Sequence, residues 1–393
     1  MKKQTGIIRT QTEKTAFREH STPLFLTSSF TFESAEQGKA LFDETEQGNL
    51  YSRFSNPTVQ EFVDRVCILE GFESGIATAT GMAAVFASFA ALLESGDHII
   101  ASRALFGSAH QIITQILPKW GITYTYVDAN ASEDVWESAI LPNTKMVYLE
   151  TPSNPGLELV DMAMIGRLSK KHNLIFNVDN CFATPSLQNP VDYGANVVVH
   201  SATKFMEGQG RVLGGVILAS EELIKPIRFF CRQTGPSMSP FNAWVLTKSL
   251  ETLDLRMERH CKNALALAEA LEIHPDVKKV NYPFLASHSQ YELAKSQMRA
   301  GGAIVTIELE GGFERVSAFM KTLEIASLSS NLGDTRTIIT NPATTTHAKL
   351  SDEEKASLGI SAGLIRISVG LEDVEDLIED FSNAAAVSAS VLK

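Results

Sequence analysis

The chain has 393 residues, 44% of them hydrophobic, which is enough for a large buried core and for more than one domain. Its 46 acidic residues exceed its 34 basic residues and leave a formal net charge of -12, which argues against a nucleic-acid partner or an anionic membrane surface. The four cysteines include no Cys-x-x-Cys pair, the first residues form no secretory signal and no apolar run could span a bilayer, so we expect a cytoplasmic protein without disulfides, metal or a membrane segment.

Residues 1–60 are the first segment of the chain, and they lack the regular hydrophobic period that a packed helix or strand requires. The segment is rich in Thr, Ser, Phe and Gln. We therefore predict an N-terminal arm that packs on something other than the domain that follows it.

Residues 61–250 are predicted to form a large α/β domain, because short apolar strands alternate with polar turns and helix-like stretches between Ser74 and Ser220. The candidate strands are rich in β-branched residues, as is typical of parallel strands buried under helices. A mostly parallel sheet binds its ligands at the carboxyl ends of the strands. The candidates are Ile99–Ala101, Tyr124–Val127, Met146–Leu149, Leu174–Val178, Val197–Val199 and Gly215–Leu218.

Residues 251–393 are predicted to form a smaller α/β domain. A largely polar segment, Ser287–Ser296, lies before a pair of glycines and is predicted to be a turn region. The other elements expected here are a long helix over Ala243–Leu271, strands near Ala303–Ile307 and Leu364–Val369, and a last helix with Val374, Leu377, Ile378 and Phe381 on one face.

Lys204 comes shortly after the predicted strand Val197–Val199, and Asp179 ends the predicted strand before it. Burial lowers the pKa of a lysine towards that of a neutral, nucleophilic amine. Pyridoxal 5'-phosphate (PLP) requires an amine that forms a Schiff base with its aldehyde and a carboxylate that keeps its pyridine nitrogen protonated. The pair therefore predicts a PLP enzyme, although a surface lysine and a turn-forming aspartate are the simpler alternatives for each residue alone.

Two segments are suited to hold a phosphate group. Ser201 and Thr203 carry hydroxyls that could donate to phosphate oxygens while the lysine reaches the aldehyde. The turn Thr80–Met82 opens an alanine-rich helix whose free N–H groups and dipole form an anion site, unless Gly81 serves only close packing. The glycines of Gly208–Gly215 have the wrong spacing for a dinucleotide fingerprint and precede a strand, so we reject a nicotinamide cofactor.

Six segments together resemble the Cys/Met metabolism family of fold-type I PLP enzymes, and the resemblance covers nearly the whole chain. The family includes cystathionine γ-synthase, cystathionine lyases, methionine γ-lyase and the acylhomoserine sulfhydrylases. The resemblance implies a seven-stranded-type, mostly parallel sheet in the large domain and a homotetramer built from dimers that share active sites. The segments are Tyr51–Thr58, Thr80–Met82, Glu150–Pro155, Val178–Asn180, Ser201–Lys204 and Asn341–Thr344.

The resemblance also implies roles for individual residues. Lys204 would form the Schiff base and carry protons, and Asp179 would pair with the ring nitrogen. Arg366 would bind the substrate α-carboxylate, with Asn331 near it, unless Arg366 is a surface residue of an edge strand. The other implied contacts are Asn154 at the cofactor's phenolic oxygen, Gly81, Met82, Ser201 and Thr203 at its phosphate, and Tyr51 and Arg53 from a neighbouring subunit, with Tyr51 as a second catalytic residue.

Phe106 departs from the family, in which many members have a tyrosine in a Tyr-Gly-Gly-Thr run. A phenylalanine can stack on the cofactor but has no proton to donate. A thiolate, whose conjugate acid has a pKa of about 8.5 or higher, leaves poorly without a proton, whereas a carboxylate with a pKa of roughly 4 leaves unaided. Phe106 therefore favours an O-acylated homoserine over the thioether substrates of lyases.

Three segments, Met206–Arg211, Asn331–Asp334 and Ala343–His347, look most like the O-succinylhomoserine sulfhydrylase branch of the family. Arg211 could meet an acyl carboxylate or form a salt bridge, and His347 is expected to be structural or gating. We expect γ-replacement in methionine biosynthesis, in which O-succinylhomoserine and sulfide give homocysteine. The alternatives are cystathionine γ-synthase with cysteine as the nucleophile, an O-acetylhomoserine sulfhydrylase, a cystathionine or methionine lyase, and a non-catalytic regulator that keeps the fold.

Overall fold

A computed structural model describes residues 1–392, and the strands of this part form two sheets. The larger sheet comprises β1 (Ser74–Thr78), β2 (His98–Ser102), β3 (Thr123–Val127), β4 (Thr144–Glu150), β5 (Ile175–Asp179), β6 (Val197–Ser201) and β7 (Gly215–Ala219). The smaller sheet comprises β8 (Lys279–Asn281), β9 (Ile304–Glu308), β10 (Ser327–Leu328), β11 (Ile338–Thr340) and β12 (Leu364–Ser368). The strand orders are β1-β7-β6-β5-β4-β2-β3 and β10-β11-β12-β9-β8.

Helices connect the strands and cover both sheets. Those of the first half are α1 (Lys3–Arg9), α2 (Ala35–Phe42), α3 (Pro57–Glu70), α4 (Gly81–Ala90), α5 (Gly107–Gln111), α6 (Glu133–Ser138), α7 (Met162–His172) and α8 (Thr184–Leu187). The second half contains α9 (Glu221–Thr234), α10 (Pro240–Leu250), α11 (Leu253–Glu272), α12 (Tyr291–Gln297), α13 (Gly312–Thr322), α14 (Asp352–Ser357) and α15 (Val374–Ser388). Short 3-10 or π segments lie at Ile112–Ile116, Leu117–Trp120, Pro190–Tyr193, Pro342–Thr344 and Ala389–Leu392.

The predicted α/β fold with a mostly parallel seven-stranded sheet is confirmed. All six candidate strands are present, but β7 runs antiparallel to both of its neighbours, β6 and β1, so the expectation that Gly215–Leu218 is a parallel strand is wrong. Strand β1 was not predicted, because its glycine and other small residues have a low preference for strands. Strand β1 pairs only with β7 and closes that edge of the sheet.

The central strands are apolar on both faces because helices cover both faces. In β6, Val197 and Val199 pack into one core cluster and Val198 packs into another, as the two-residue period of a strand requires. All three valines are fully buried. The unbroken valine run of β6 is therefore the pattern of a strand that is buried on both faces.

Two expectations for the second half of the chain are wrong. The helix expected over Ala243–Leu271 is broken between α10 and α11, where the Thr252 hydroxyl and the Arg256 guanidinium both donate to the carbonyl of Ser249. The N–H of Thr252 also donates to this carbonyl at 3.3 Å, so the carbonyl ends α10 in a turn and does not bond to the i+4 donor that would continue the helix. The segment Ser287–Ser296 is not all turn, because α12 begins at Tyr291 and buries Ala294 completely.

The N-terminal arm divides into a part that is packed on its own chain and a part that is not. Helix α1 packs against α3 and buries Ile7, and Glu61 accepts hydrogen bonds from the Thr12 and Thr22 hydroxyls. Further along, Phe17 is 94% exposed and Leu26 is 69% exposed. Large apolar side chains at this exposure favour contact with another surface. A contact with a neighbouring subunit stays a prediction.

Two further properties bear on the class of protein. Within residues 1–392, no helix has the length and apolar character needed to cross a membrane. The four cysteines are free thiols, and Cys67, Cys231 and Cys261 are buried.

Candidate active site

The carboxyl ends of β4, β5 and β6 bring the predicted polar residues to one edge of the large sheet. Glu150 and Asp179 are register partners on β4 and β5, and Asp179 pairs with Val199 on β6. Lys204 follows the end of β6 and is held from the other side by Gly333, where φ is +80°. A Cβ on Gly333 would lie 2.7 Å from the carbonyl carbon of Lys204, so only glycine fits there.

The amine of Lys204 lies between the two units of the fold. It donates to Oδ1 of Asn331 at 2.7 Å, which comes from the segment that follows β10. Burial lowers the pKa of Lys204, and the positive charge of Arg366 lowers it further, although the nearby Cys181 opposes the shift. A lysine in this environment has more of the neutral, nucleophilic form than a surface lysine.

Asp179 ends β5 with its carboxylate in a polar layer. Burial raises the pKa of Asp179 to about 6, against the Cys181 N–H, which donates to its Oδ1 at 3.0 Å, and the charge of His200. His200 in turn contacts Glu70 at 2.6 Å, and both side chains are fully buried. An anion with a raised pKa is suited to a cationic partner, which is what a protonated pyridine nitrogen would supply.

Glu70 is a functional candidate that sequence reasoning missed. Its carboxylate also accepts from the amides of Asn180 and Asn189, at 2.7 Å and 3.1 Å. Glu70 lies on α3, and its three partners come from β6 and two loops, so no spacing in the sequence connects the four residues. The local signal that could have pointed to it is a glutamate that directly follows the apolar residues Ile68 and Leu69 at the end of α3.

The N-terminus of α4 lies against the end of β6 and fits a phosphate group. Thr80 caps the helix by accepting from the N–H of Ala83 at 3.1 Å, while the first N–H groups of a helix, here those of Gly81 and Met82, have no intrahelical acceptor. A Cβ on Gly81 would lie 2.4 Å from Cβ of Ser201, so the glycine allows the close approach of helix and strand.

Thr203 is positioned differently from the expectation for a phosphate ligand. Its hydroxyl donates to the carbonyl of Gly214 at 3.2 Å and accepts from the N–H of the same residue at 3.1 Å. Ser201, Gly81 and Met82 are thus brought together, whereas Thr203 pairs with Gly214 in this structure. A phosphate contact from Thr203 stays a prediction.

Arg366 is a buried cation on β12, which lies between β11 and β9, so the alternative of an edge-strand surface arginine is wrong. Its Nη1 donates to Oδ1 of Asn154 at 3.1 Å, and its Nη2 donates to the carbonyls of Ser330 and Asn331 at 3.1 Å and 3.0 Å. Burial lowers the pKa of Arg366 to about 10, and Nε has no partner in the described chain. A buried guanidinium with a spare donor is suited to a carboxylate.

Phe106 and His347 form one wall near Arg366. Their rings meet edge to face with 6.5 Å between centroids. His347 is buried, and its Nδ1 pairs with the Thr346 hydroxyl at 2.9 Å. Burial and then Arg366 lower the pKa of His347 to about 4. The imidazole is therefore neutral at physiological pH.

Tyr51 and Arg53 are not brought to Lys204 within the same chain, as far as residues 1–392 show. Arg53 stacks on Phe54 at 4.6 Å and on Tyr51 at 5.6 Å, and it donates to the carbonyl of Arg232. Tyr51 is 44% exposed. The structure leaves these two residues at the surface of the chain.

Arg211 is engaged by the protein and does not face an open acyl site. Its guanidinium pairs with the buried Glu207 and with the Ser249 hydroxyl. Of the two possibilities for Arg211, the structure favours the salt bridge. The described residues contain no cluster of His, Cys, Asp and Glu side chains that could hold a metal ion.

Comparisons with known proteins agree over nearly the whole chain. Residues 4–386 match the family described as "Cys/Met metabolism PLP-dependent enzyme". An O-succinylhomoserine sulfhydrylase from Pseudomonas aeruginosa is 44% identical over 96% of this chain and 94% of its own. An L-methionine gamma-lyase from Porphyromonas gingivalis is 42% identical over 94% of this chain and 93% of its own.

Solved structures are similar at the level of the whole fold. A Campylobacter jejuni protein described as an O-acetylhomoserine (thiol)-lyase, which contains N'-pyridoxyl-lysine-5'-monophosphate, has a TM-score of 0.95 and 33% identity, and the match covers 98% of this chain and 100% of that one. A cystathionine gamma synthase from Xanthomonas oryzae pv. oryzae has a TM-score of 0.94 and 33% identity, with 99% of each chain covered. These relatives share a fold and differ in the reaction that their names describe.

Proposed function

The chain belongs to the Cys/Met metabolism family of PLP-dependent enzymes, and we propose that it replaces the acyloxy group of O-succinylhomoserine with sulfide to give homocysteine. The predicted cofactor is confirmed at the level of the family. The acyl group and the sulfur donor are the proposed part, because sulfhydrylases, lyases and a synthase are all among the similar proteins.

The observation that carries the proposal is a pocket wall without an acidic proton. Phe106 has no hydroxyl, and the neighbouring His347 has a pKa lowered to about 4, so neither ring offers a cationic or phenolic proton at neutral pH. A carboxylate leaving group needs no such proton, whereas a thiolate does. The 44% identity with an O-succinylhomoserine sulfhydrylase supports the same choice.

Lys204 is proposed as the proton carrier. When bound, PLP supplies an aldehyde that condenses with amines and a ring that absorbs the electrons of a carbanion. Lys204 would then remove a proton from Cα and one from Cβ, so that succinate can leave Cγ, and would return both protons after sulfide has added at Cγ. Its lowered pKa supports this role, because a base works best when its pKa lies near the working pH. The amide of Asn331 would hold the amine between these positions.

Arg366 is proposed to bind the α-carboxylate of the substrate. Its unpartnered Nε and its burial support this role, since a carboxylate would satisfy the spare donor and restore the charge balance. Asn331 would lie beside the same carboxylate, because its backbone carbonyl already accepts from Arg366 at 3.0 Å. Asp179 is proposed for the ring nitrogen, Asn154 for the phenolic oxygen, Phe106 for stacking, and Gly81, Met82, Ser201 and Thr203 for the phosphate.

A homotetramer built from dimers is proposed as the assembly. The surface position of Tyr51 and Arg53 supports it, because these residues would complete the phosphate site of a second copy and Tyr51 could act there on the reacting groups. The exposed apolar residues of the arm, such as Phe17 and Leu26, would pack at this contact. The domain limits at residues 60 and 250 likewise stay proposals.

Steady-state kinetics with two acyl esters and two sulfur donors test the proposal. We expect the highest kcat/KM with O-succinylhomoserine and sulfide, and no turnover in the Lys204→Ala variant. Phe106→Tyr should raise the release of 2-oxobutyrate from methionine by about 10-fold or more. A well-positioned general acid typically contributes about 100-fold or more, and an introduced hydroxyl is expected to reach part of that effect.

Each other outcome points to a specific alternative. Preference for cysteine would indicate a cystathionine γ-synthase, and preference for the acetyl ester would indicate an O-acetylhomoserine enzyme. Rapid 2-oxobutyrate release from methionine or cystathionine by the unaltered protein would overturn the proposal in favour of a lyase. A protein that binds PLP and turns over none of these substrates would be a regulator.

A further inference from the structure

We propose that Glu150 is a positioning residue, which uses its two carboxylate oxygens to fix the ring-stacking Phe106 and the carboxylate-binding Arg366 relative to each other. The inference deepens the proposed function, since it rests on the roles given there to Phe106 and Arg366. It does not depend on which ester or which sulfur donor the enzyme uses.

The two oxygens of Glu150 hold two separate backbone segments. Oε2 accepts from the N–H of Phe106 at 2.7 Å, and Oε1 accepts from the N–H of Asn154 at 3.1 Å. Glu150 is the last residue of β4 and only 5% exposed, so its carboxylate is fixed by the sheet and has little access to water. One side chain therefore determines where two loops leave the strand ends.

The second of these loops reaches the smaller sheet. The side chain of Asn154 accepts from Nη1 of Arg366 at 3.1 Å, so the contacts run without a gap from Phe106 through Glu150 and Asn154 to Arg366. Phe106 and Glu150 belong to the large sheet and its loops, while Arg366 lies on β12. This series of hydrogen bonds, which we call a brace, thus joins the large sheet to the smaller sheet across the site.

The carboxylate is placed where it is electrostatically unfavourable. Glu150 is the register partner of Asp179, and burial together with that second acid raises the pKa of Glu150, while the two N–H donors and Arg366 oppose the shift. A neutral side chain could end β4 without this electrostatic cost, so the end of the strand alone does not explain an acid here. A carboxyl group with two oxygens has a specific use here, because both N–H groups need an acceptor at once.

Glutamine at this position would satisfy only one of the two N–H groups. Its amide has one oxygen, and its NH2 group would face the other N–H as a second donor. The loop that loses its acceptor would shift, and a displacement of about 1 Å in a positioning group can reduce catalysis by about 100-fold. Aspartate keeps both oxygens but is too short to reach both loops, so it should act in the same direction.

Asp380 provides a matched control far from the site. Its Oδ1 and Oδ2 accept from the N–H groups of Glu324 and Ile325, both at 3.0 Å, and the residue is 9% exposed. As at Glu150, one buried carboxylate accepts from two backbone N–H groups, but Asp380 lies on α15 and its two donors are neighbours in one segment. Asp380→Asn measures the effect of losing such a brace on folding alone.

The experiment compares Glu150→Gln, Glu150→Asp and Asp380→Asn as holoenzymes. The readouts are the PLP content, the visible circular dichroism of the bound cofactor and the dissociation constant of L-homoserine, which lacks the acyl group and cannot undergo the replacement. We expect both Glu150 variants to retain PLP, to change the dichroism and to bind L-homoserine at least about 10-fold more weakly. Asp380→Asn should change none of the three readouts.

Wild-type dichroism and wild-type homoserine affinity in a folded, PLP-loaded Glu150→Gln protein would overturn the inference. Equal changes in Asp380→Asn, or failure of both Glu150 variants to fold, would also overturn it, since Glu150 would then be a structural acid. None of the three readouts involves turnover. A wrong assignment of the ester or the sulfur donor therefore leaves this result intact.

Discussion

Asp179 shows how a single residue is kept in an unfavourable state until a ligand arrives. Its carboxylate is withdrawn from water at the end of β5, and the compensating charge is that of His200, which is itself paired with Glu70. The pKa of Asp179 rises from 3.8 to about 6 as a result. A cationic ring nitrogen would remove this penalty. The unfavourable state of Asp179 in the apoenzyme would therefore contribute to the affinity for the cofactor.

The raised pKa of Asp179 predicts how the apoenzyme responds to pH. A group whose folded pKa is raised stabilises the fold below its unfolded pKa, and this contribution is lost as the pH rises through about 6. Relative to Asp179→Asn, the wild-type apoenzyme should lose on the order of 1 kcal/mol of unfolding free energy between pH 5 and pH 7.5. Urea unfolding at the two pH values measures the difference, and a second pair of proteins that both carry Glu150→Gln removes the titration of Glu150, whose pKa Asp179 raises. If the difference in unfolding free energy between the two proteins is the same at both pH values, the raised pKa of Asp179 is contradicted.

At the scale of elements, the contact of α4 with β6 depends on the absence of a side chain. Alanine at Gly81 would place its Cβ 2.4 Å from Cβ and 2.6 Å from Cα of Ser201, and neither atom can move without moving the strand. The helix would have to withdraw, and its first N–H groups would withdraw with it.

We therefore expect Gly81→Ala to raise the dissociation constant of PLP by about 10-fold or more, even though alanine favours a helix over glycine. Equilibrium titration of the apoenzyme with PLP measures this constant. Gly6→Ala in α1 is the control, because a Cβ there meets only the side chain of Ile68, at 3.1 Å. Unchanged affinity in Gly81→Ala would show that the helix terminus does not hold the phosphate.

The elements differ in how much of their position the sequence could predict. The short apolar runs of β4, β5 and β6 identified the strands, and parallel strands place their ends at one edge, so Asp179 and Lys204 could be brought together in advance. The contacts of Glu70 with His200 and of Glu150 with Phe106 join residues far apart in the chain, and only the tertiary structure defines them. The direction of β7 was missed for the same reason, since its pairing with β6 determines it, while the break before α11 was missed because it depends on local side-chain hydrogen bonds of Thr252 and Arg256 to Ser249.

At the scale of the whole molecule, one chain lacks part of the predicted phosphate site. Arg53 lies against the carbonyl of Arg232 at the end of α9, and Tyr51 is exposed beside it, while the Gly81–Ser201 contact lies at the ends of α4 and β6. Sites completed by a second copy should therefore be separable into two sets of residues, one from each chain.

Mixing two inactive variants tests this separation. Lys204→Ala removes the amine from one set and Arg53→Ala removes the cation from the other, so each homomeric variant should be inactive or nearly so. In random mixed dimers, half of the pairs carry one of each chain, and one of the two sites in such a pair is intact, so about one quarter of all sites should be active. Turnover after the two proteins are unfolded and refolded together measures this fraction. If verified mixed dimers show only the activity of the separate variants, each site is built from one chain, and Arg53 must reach the phosphate of its own subunit by a movement of the arm.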